Sequence, residues 1–184
     1  MTERTRAAPT LETARLILRP FRESDLEPLA AAATDPETVR FVGGKPATRE
    51  ETWRKLATMP GMWVLFGFGY WIIERRSDGM VIGQAGFADF KRDMAPSLEG
   101  LPEMGWSFAR HAWGQGYASE AGATALEWAD RNLTDSEVVA IIDADNSASI
   151  RVAEKLGFDR REAAVYREEP ILIFRRRPRL SGDG

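Results

Sequence analysis

Residues 103–121 decide the fold, and they read EMGWSFARHAWGQGYASEA. Polar and apolar side chains alternate over residues 103–108, which predicts a β-strand. A turn with two glycines follows at residues 113–118, and residues 119–131 predict a helix with alanine and leucine on one side. A strand that enters a helix through such a turn gathers free backbone N–H groups at the positive end of the helix dipole. The stretch therefore predicts an anion site that suits a phosphate.

The two glycines alone also fit a tight connection without any ligand, so both interpretations stay open at this point. Two known phosphate loops do not match. A P-loop needs lysine after its last glycine, where this chain has Tyr117. A dinucleotide-binding fingerprint needs glycine or alanine where this chain has Ser119, and it normally opens the domain rather than following the midpoint.

The rest of the chain mixes helices and strands, which predicts an α/β or α+β class around one sheet. Ser24 and Thr48 are predicted to cap two early helices, the second ending at Pro60-Gly61. Gly157 is predicted to stop a later helix that begins at Ser147. Further strands are predicted at residues 15–20, 70–74, 81–87, 138–142, 159–166 and 171–176.

Composition limits the possible functions. The chain has 184 residues, 43% of them hydrophobic, which suits one domain with a substantial core. A net charge of −3 disfavours a nucleic-acid-binding surface. The absence of cysteine excludes disulfides, a thiolate zinc site and a cysteine nucleophile, and we expect no metal. With no signal peptide or long apolar run, we expect a cytoplasmic protein without membrane contact.

Three blocks of sequence together resemble a known family. Residues 103–121 are similar to the acyl-CoA signature of the GNAT superfamily of N-acetyltransferases. Residues 146–158, NSASIRVAEKLGF, and residues 13–21, TARLILRPF, resemble two further blocks in the same order. The sequences of these blocks are most similar to those of the branch typified by the RimJ and RimL ribosomal-protein acetyltransferases. The likeness extends from about residue 11 to about residue 175.

The resemblance implies a GNAT fold. This is a twisted, mostly antiparallel mixed sheet of about seven strands, with helices on both faces and two parallel central strands that splay apart. A single N-acetyltransferase domain is expected over residues 11–178, and residues 1–10 and 179–184 are expected to be flexible termini.

By position, the resemblance also implies where acetyl-CoA is held. The pantetheine would pair with the backbone of Trp106, Ser107 and Phe108. The pyrophosphate would be bound by the turn residues Trp113, Gly114, Gln115, Gly116, Tyr117 and Ala118. Asn146 and Ser149 would face the amide and thiol end of the cofactor. This chain departs from the superfamily at His111, where glutamine or arginine is commoner, which puts a side-chain role at that position in doubt.

Acyl transfer to an amine needs a proton acceptor for the amine and a proton donor for the departing thiolate. Glu103 is the candidate base, and its alternative is a carboxylate in solvent or in a salt bridge. Ser149 is the candidate donor, and its alternative is a hydroxyl that bonds its own helical turn. Asn146, placed with them in the catalytic group, is also a good helix N-cap. Tyr166 is a weaker candidate acid because it lies late in the chain.

The predicted function is transfer of an acetyl group from acetyl-CoA to a primary amine, such as a protein N-terminus or a small molecule, by direct attack in a ternary complex. The alternative is a non-catalytic acyl-CoA-binding or sensor domain. The sequence does not identify the acceptor, and a homodimer is one possible assembly. Five aromatic residues in the acceptor segment fit either core packing or acceptor contact: Phe41, Trp53, Trp63, Phe66 and Phe68.

Overall fold

The computed structural model describes residues 7–41, 43–133 and 136–178. The predicted flexible ends lie partly outside this range, since residues 1–6 and 179–184 are not among the described residues. Within the described part of the N-terminus, the Pro9 carbonyl accepts a hydrogen bond of 2.8 Å from the indole of Trp71.

The strands form one sheet in the order β1-β2-β3-β4-β5-β6-β8-β7. The strands are β1 Leu11–Glu12, β2 Leu16–Arg19, β3 Tyr70–Arg75, β4 Val81–Ala88, β5 Glu103–Phe108, β6 Val138–Asp143, β7 Arg160–Tyr166 and β8 Glu169–Arg176. Every neighbouring pair is antiparallel except β5 and β6. The mixed, mostly antiparallel sheet is confirmed, with eight described strands because the two-residue β1 pairs with β2.

The helices alternate with groups of these strands along the chain. They are α1 Leu26–Thr34, α2 Pro36–Val39, α3 Arg49–Thr58, α4 Pro60–Phe66, α5 Tyr117–Asn132 and α6 Ser147–Lys155. Thr48 and Glu51 form the predicted capping box of α3. One helix limit differs from the prediction: Ser24 caps nothing, because it lies inside a short 3-10 turn that precedes α1. Helix α3 ends before Pro60, as predicted. Pro60 also opens α4, a helix that the sequence did not predict, since proline suits a first helical position.

The parallel strands β5 and β6 meet at a single register position, Glu103 opposite Val139. There the Val139 N–H donates to the Pro102 carbonyl at 3.1 Å. β5 continues for five more residues and β6 for four without further pairing, so the strands diverge toward their carboxyl ends. The predicted splay of the central strands is therefore present.

One face of the sheet carries an aromatic core. Trp63 of α4, Trp71 of β3 and Trp128 of α5 meet edge to face, with ring centroids 4.8–5.4 Å apart. Trp63 and Trp71 are almost completely buried, and Phe68 belongs to the same core. Such pairs add about 1 kcal/mol each to the burial of their surface. Trp63 and Phe68 are thus core residues, whereas Trp53 is 40% exposed.

Glycines let the other face close tightly. Tyr70, Gly86 and Gly105 are register partners on β3, β4 and β5, so their side chains share one face. The Tyr70 hydroxyl occupies the position that a Cβ on residue 105 would need. Tyr70 also packs with Ala88 and with Met59 at the end of α3. The phenol therefore reaches β5 only because residue 105 has no side chain.

We expect Gly86→Ala to lower the free energy of unfolding by about 2 kcal/mol, as overpacking of a fixed backbone does. A Cβ at residue 86 would lie closer than 3.0 Å to backbone atoms of Gly69 and Tyr70, which cannot move aside. Urea unfolding measures the loss. Gly61→Ala in α4 is the control, since a Cβ there meets nothing within 4 Å. Equal stability of the two variants would contradict the packing.

Candidate functional site

The turn before α5 presents a row of unpaired backbone donors. Gly114 and Gly116 are left-handed, with φ of +72° and +78°, and Gln115 lies between them. This alternation curves successive N–H groups toward one point. Within the described residues, no protein acceptor contacts the N–H groups of residues 114–119, and helical bonding starts with Glu120 N–H to Gly116 C=O. The turn therefore offers the free donors that the predicted anion site needs.

Trp113 differs from the other predicted turn residues. Its backbone N–H donates to the Arg110 carbonyl at 3.1 Å, so this amide is used within the turn. Its indole Nε1 donates to the Phe108 carbonyl at 2.7 Å, and the residue is 46% exposed. Trp113 can thus offer a fixed aromatic surface to a ligand, while the amides of residues 114–118 can still serve as donors.

The divergence of β5 and β6 opens a cleft that leads away from this turn. Beyond Glu103, the edge of β5 that faces β6 has no strand partner. Trp106, Ser107 and Phe108, the residues predicted to pair with pantetheine, lie along this part of β5, although the Phe108 carbonyl already accepts from the Trp113 indole. An unpaired strand edge carries N–H and C=O groups that another extended chain can satisfy. The cleft therefore suits a ligand with amide groups along its length.

The other strand that borders the cleft, β6, is followed by α6. The Asn146 side chain accepts a bond of 3.1 Å from the Ser149 N–H, so Asn146 caps the helix. The Ser149 hydroxyl has no hydrogen-bond partner among the described residues, unlike Thr124, whose hydroxyl bonds the Glu120 carbonyl in its own helix. Asn146 and Ser149 are both partly exposed. The predicted alternative for Ser149, a bond to its own turn, is not present.

Glu103 lies at the vertex of the cleft in a salt bridge. Its two carboxylate oxygens accept from Nε and Nη2 of Arg92, both at 2.7 Å, and Glu103 is buried. Burial alone lowers the pKa of Arg92, but hydrogen bonds and charge from Glu103 and Tyr166 raise it overall. The bidentate pair fixes the carboxylate in place, and a carboxylate has lone pairs left for a further donor.

Tyr166, at the end of the edge strand β7, also contacts this pair. The Arg92 guanidinium lies 4.9 Å from the Tyr166 ring and 4.7 Å from the Phe90 ring. The described non-glycine residues with positive φ flank the same contact: Lys91 precedes Arg92, and Arg167 and Glu168 follow Tyr166. Arg167 and Glu168 form the two-residue turn of the β7–β8 hairpin, a turn type that needs positive φ at both positions.

Tyr70 is a further polar group at the vertex. Burial raises the pKa of Tyr70, and the negative charge of Glu103 raises it further, with partial compensation by Arg92. Its phenol therefore stays protonated at any working pH. It can donate a hydrogen bond near Glu103, but it cannot act as a base.

A cavity of about 130 Å³ lies on the Ser107 face of the sheet, between the strands β4 and β5 and the helices α1 and α3. Gln84 and Ser107 line it from the sheet, and Thr52 and Lys55 line it from α3.

Among the described residues, no helix is long and apolar enough to cross a membrane. That part of the chain also has no cluster of three potential acidic or histidine metal ligands.

Sequence reasoning missed two residues of the vertex, Arg92 and Tyr70. Arg92 lies in an irregular loop, and no local pattern ties it to Glu103, which is 11 residues away. Tyr70 is two strands away from Gly105 and reaches it only across β4. A pair of glycines in adjacent predicted strands was the available signal for such a close approach.

Known proteins are similar to this chain. The family description Acetyltransferase (GNAT) domain matches residues 15–159 of the chain. YkkB, an uncharacterised protein of Bacillus subtilis strain 168, is 30% identical over 175 residues, which cover 93% of this chain and 97% of YkkB.

Two solved structures extend the comparison. One, described as a GNAT-family acetyltransferase from Bordetella pertussis, has a TM-score of 0.80 at 28% identity and covers 92% of this chain and 99% of its own. The other is the ribosomal L7/L12 α-N-protein acetyltransferase RimL with bound coenzyme A. It has a TM-score of 0.76 at 16% identity and covers 95% of this chain and 100% of its own, a likeness that shows the fold alone.

We expect Gly116→Ala to weaken CoA binding about tenfold, because alanine disfavours the left-handed conformation by about 1–2 kcal/mol and the turn amides then diverge. Calorimetric titration with CoA measures the change. Gly79→Ala is the matched control, since Gly79 has φ of +71° in the β3–β4 turn with open space around it. The control should lose similar stability with unchanged affinity. Equal affinities of the two variants would place the anion site elsewhere.

Proposed function

Because this chain belongs to the GNAT family of acetyltransferases, we propose that it transfers an acetyl group from acetyl-CoA to a primary amine. The amine attacks the thioester directly while both substrates are bound. The observation that carries the proposal is the row of unpaired N–H groups at residues 114–119, placed at the open end of the β5–β6 cleft.

These residues fit acetyl-CoA along its length. The turn amides of residues 114–118 bind the pyrophosphate next to the α5 dipole. The free edge of β5 at residues 106–108 pairs with the amides of pantetheine, as an added strand would. Asn146 and Ser149 meet the thiol arm from α6. The thioester then lies in the cleft between these residues and Glu103 at the vertex.

Glu103 accepts the proton that the attacking amine releases, directly or through water. Arg92 holds both oxygens of the carboxylate and prevents the side chain from turning away. A remaining lone pair on either oxygen is sufficient for this step. The new C–N bond forms as the C–S bond breaks, and the released thiolate accepts a hydrogen bond from Ser149.

The acceptor is a primary amine on a protein N-terminus or on a small molecule. Its closer assignment to the substrates of the RimJ and RimL branch stays a prediction, which the similar opening block at residues 13–21 supports. Cytoplasmic location and a homodimeric assembly stay predictions too.

A non-catalytic acyl-CoA sensor remains the second candidate, since a cofactor turn alone supports binding. The intact set of Glu103, Asn146 and Ser149 favours the enzyme. Incubation of the protein with acetyl-CoA and a panel of primary amines, with detection of free thiol, distinguishes the two. Thiol release that depends on an amine identifies the enzyme, and tight CoA binding without release identifies the sensor.

We expect Ser149→Ala to lower kcat about tenfold with little change in the KM for acetyl-CoA, since the hydroxyl is needed when the thiolate departs. The melting temperature should stay within about 1 °C of wild type, because a solvent-side substitution that breaks no bond costs little. Ser147→Ala is the control, an exposed serine in the same helix. A loss of melting temperature with unchanged kcat would contradict the catalytic role.

A second prediction concerns pH. We expect Glu103→Gln to lower kcat at neutral pH by about 10²-fold, as loss of a general base does. Higher pH should restore activity, because the amine then loses its proton in solution. For an acceptor with a pKa near ~8 the recovery levels off above that pH, whereas a lysine-like amine near ~10.4 keeps gaining. The pH profile thus also reports the acceptor class.

Glu99→Gln is the control, because Glu99 pairs with Lys91 on the exposed side of the same loop. It should leave the pH profile unchanged. If Glu103→Gln matches wild type at every pH, Glu103 is structural. If its loss does not recover at high pH, the carboxylate binds the acceptor instead of taking its proton.

A further inference from the structure

Arg15, about 100 residues earlier in the chain, contacts the glycine turn at residues 113–118 and the start of α5. Its Nη1 donates to the Gln115 carbonyl at 3.0 Å, and its Nε and Nη2 contact the Glu120 carboxylate at 2.7 and 2.5 Å. The guanidinium lies 4.7 Å from the Tyr117 ring centroid. All three guanidinium nitrogens therefore contact the turn or the first turn of α5.

The Gln115 carbonyl is the contact that matters for the ligand. In a trans peptide the C=O and the following N–H point in opposite directions. When Arg15 holds the Gln115 carbonyl, it also fixes the direction of the Gly116 N–H, away from Arg15. Gly116 is left-handed, and glycine has little preference of its own to hold that orientation. The bond from Arg15 to the Gln115 carbonyl thus fixes the orientation of the Gly116 N–H, one of the unpaired donors of the turn.

The Glu120 contact removes an unfavourable charge. Glu120 lies in the first turn of α5, close to the point where a pyrophosphate would bind. Thr13 donates to its Oε1 at 2.5 Å, and Arg15 binds its Oε2. Burial acts to raise the pKa of Glu120, but the bonds from Thr13 and Arg15 lower it overall. The carboxylate therefore stays ionised, and Arg15 neutralises it.

We propose that Arg15 is a positioning residue for acetyl-CoA, which aims the Gly116 amide at the pyrophosphate and neutralises Glu120 beside it. The inference rests on the proposed function of the turn. Arg15 acts through the backbone of the turn, because its guanidinium nitrogens already contact protein acceptors.

The test compares two acetyl donors, acetyl-CoA and S-acetyl-pantetheine, which lacks the pyrophosphate and adenosine. We expect Arg15→Ala to lower kcat/KM for acetyl-CoA about tenfold, as misplacement of a binding group does, and to leave kcat/KM for S-acetyl-pantetheine unchanged. Arg15→Lys should keep most of the loss, because one ammonium cannot hold both Gln115 and Glu120. Arg131→Ala is the control, since Arg131 pairs with Glu127 at the far end of the same helix.

Equal losses with the two donors, or no loss with either, would overturn the proposal, and so would full activity of Arg15→Lys. The wild-type protein separates this failure from failure of the cofactor site. If wild type uses the two donors equally well, the turn does not bind pyrophosphate. If wild type prefers acetyl-CoA and Arg15→Ala keeps that preference, only the role of Arg15 is wrong.

Discussion

The break in pairing between β5 and β6 is the constraint on which the site depends. Glu103 and Val139 are register partners, and no later residues of the two strands are paired with each other. A continued ladder would satisfy the strand edges and leave no cleft. Because the pairing of β5 with β6 stops at the first residue of β5, polar backbone groups line the open cleft. The candidate base lies at its vertex, and the helices that follow the two strands begin at its mouth.

Such a break would weaken the sheet if nothing else joined its halves. Helix α5 spans the break. Gly122 lets it approach closely, since a Cβ there would meet Leu156 of the α6 region and Met104 of β5. At its other end, Asp130 binds Arg176 of β8 through two hydrogen bonds of 2.8 and 2.7 Å. The helix that follows the glycine turn is thus fixed to both halves, which holds the turn in place beside the cleft.

The sequence was informative wherever the signal was local. The strand at 103–108, the capping box at Thr48 and the stop at Gly157 depend on neighbours within a few residues, and all three are present. The partners of Glu103 and Arg15 were not predictable, because pairs 11 and 105 residues apart form only after the sheet assembles. Helix α4 was missed because Pro60 suits both the end of one helix and the start of the next.

The raised pKa of Tyr70 limits its role as a proton donor. Burial and the charge of Glu103 raise the pKa of Tyr70, whereas an ordinary thiol has a pKa near ~8.5. Full proton transfer from this phenol to a departing thiolate would therefore be uphill. If Glu103 takes the amine proton, its charge no longer acts on Tyr70, but burial still does. In the proposed reaction, the thiolate is therefore stabilised by a hydrogen bond from the unpartnered Ser149 hydroxyl of α6, and the sulfur receives its proton from Glu103 or from water.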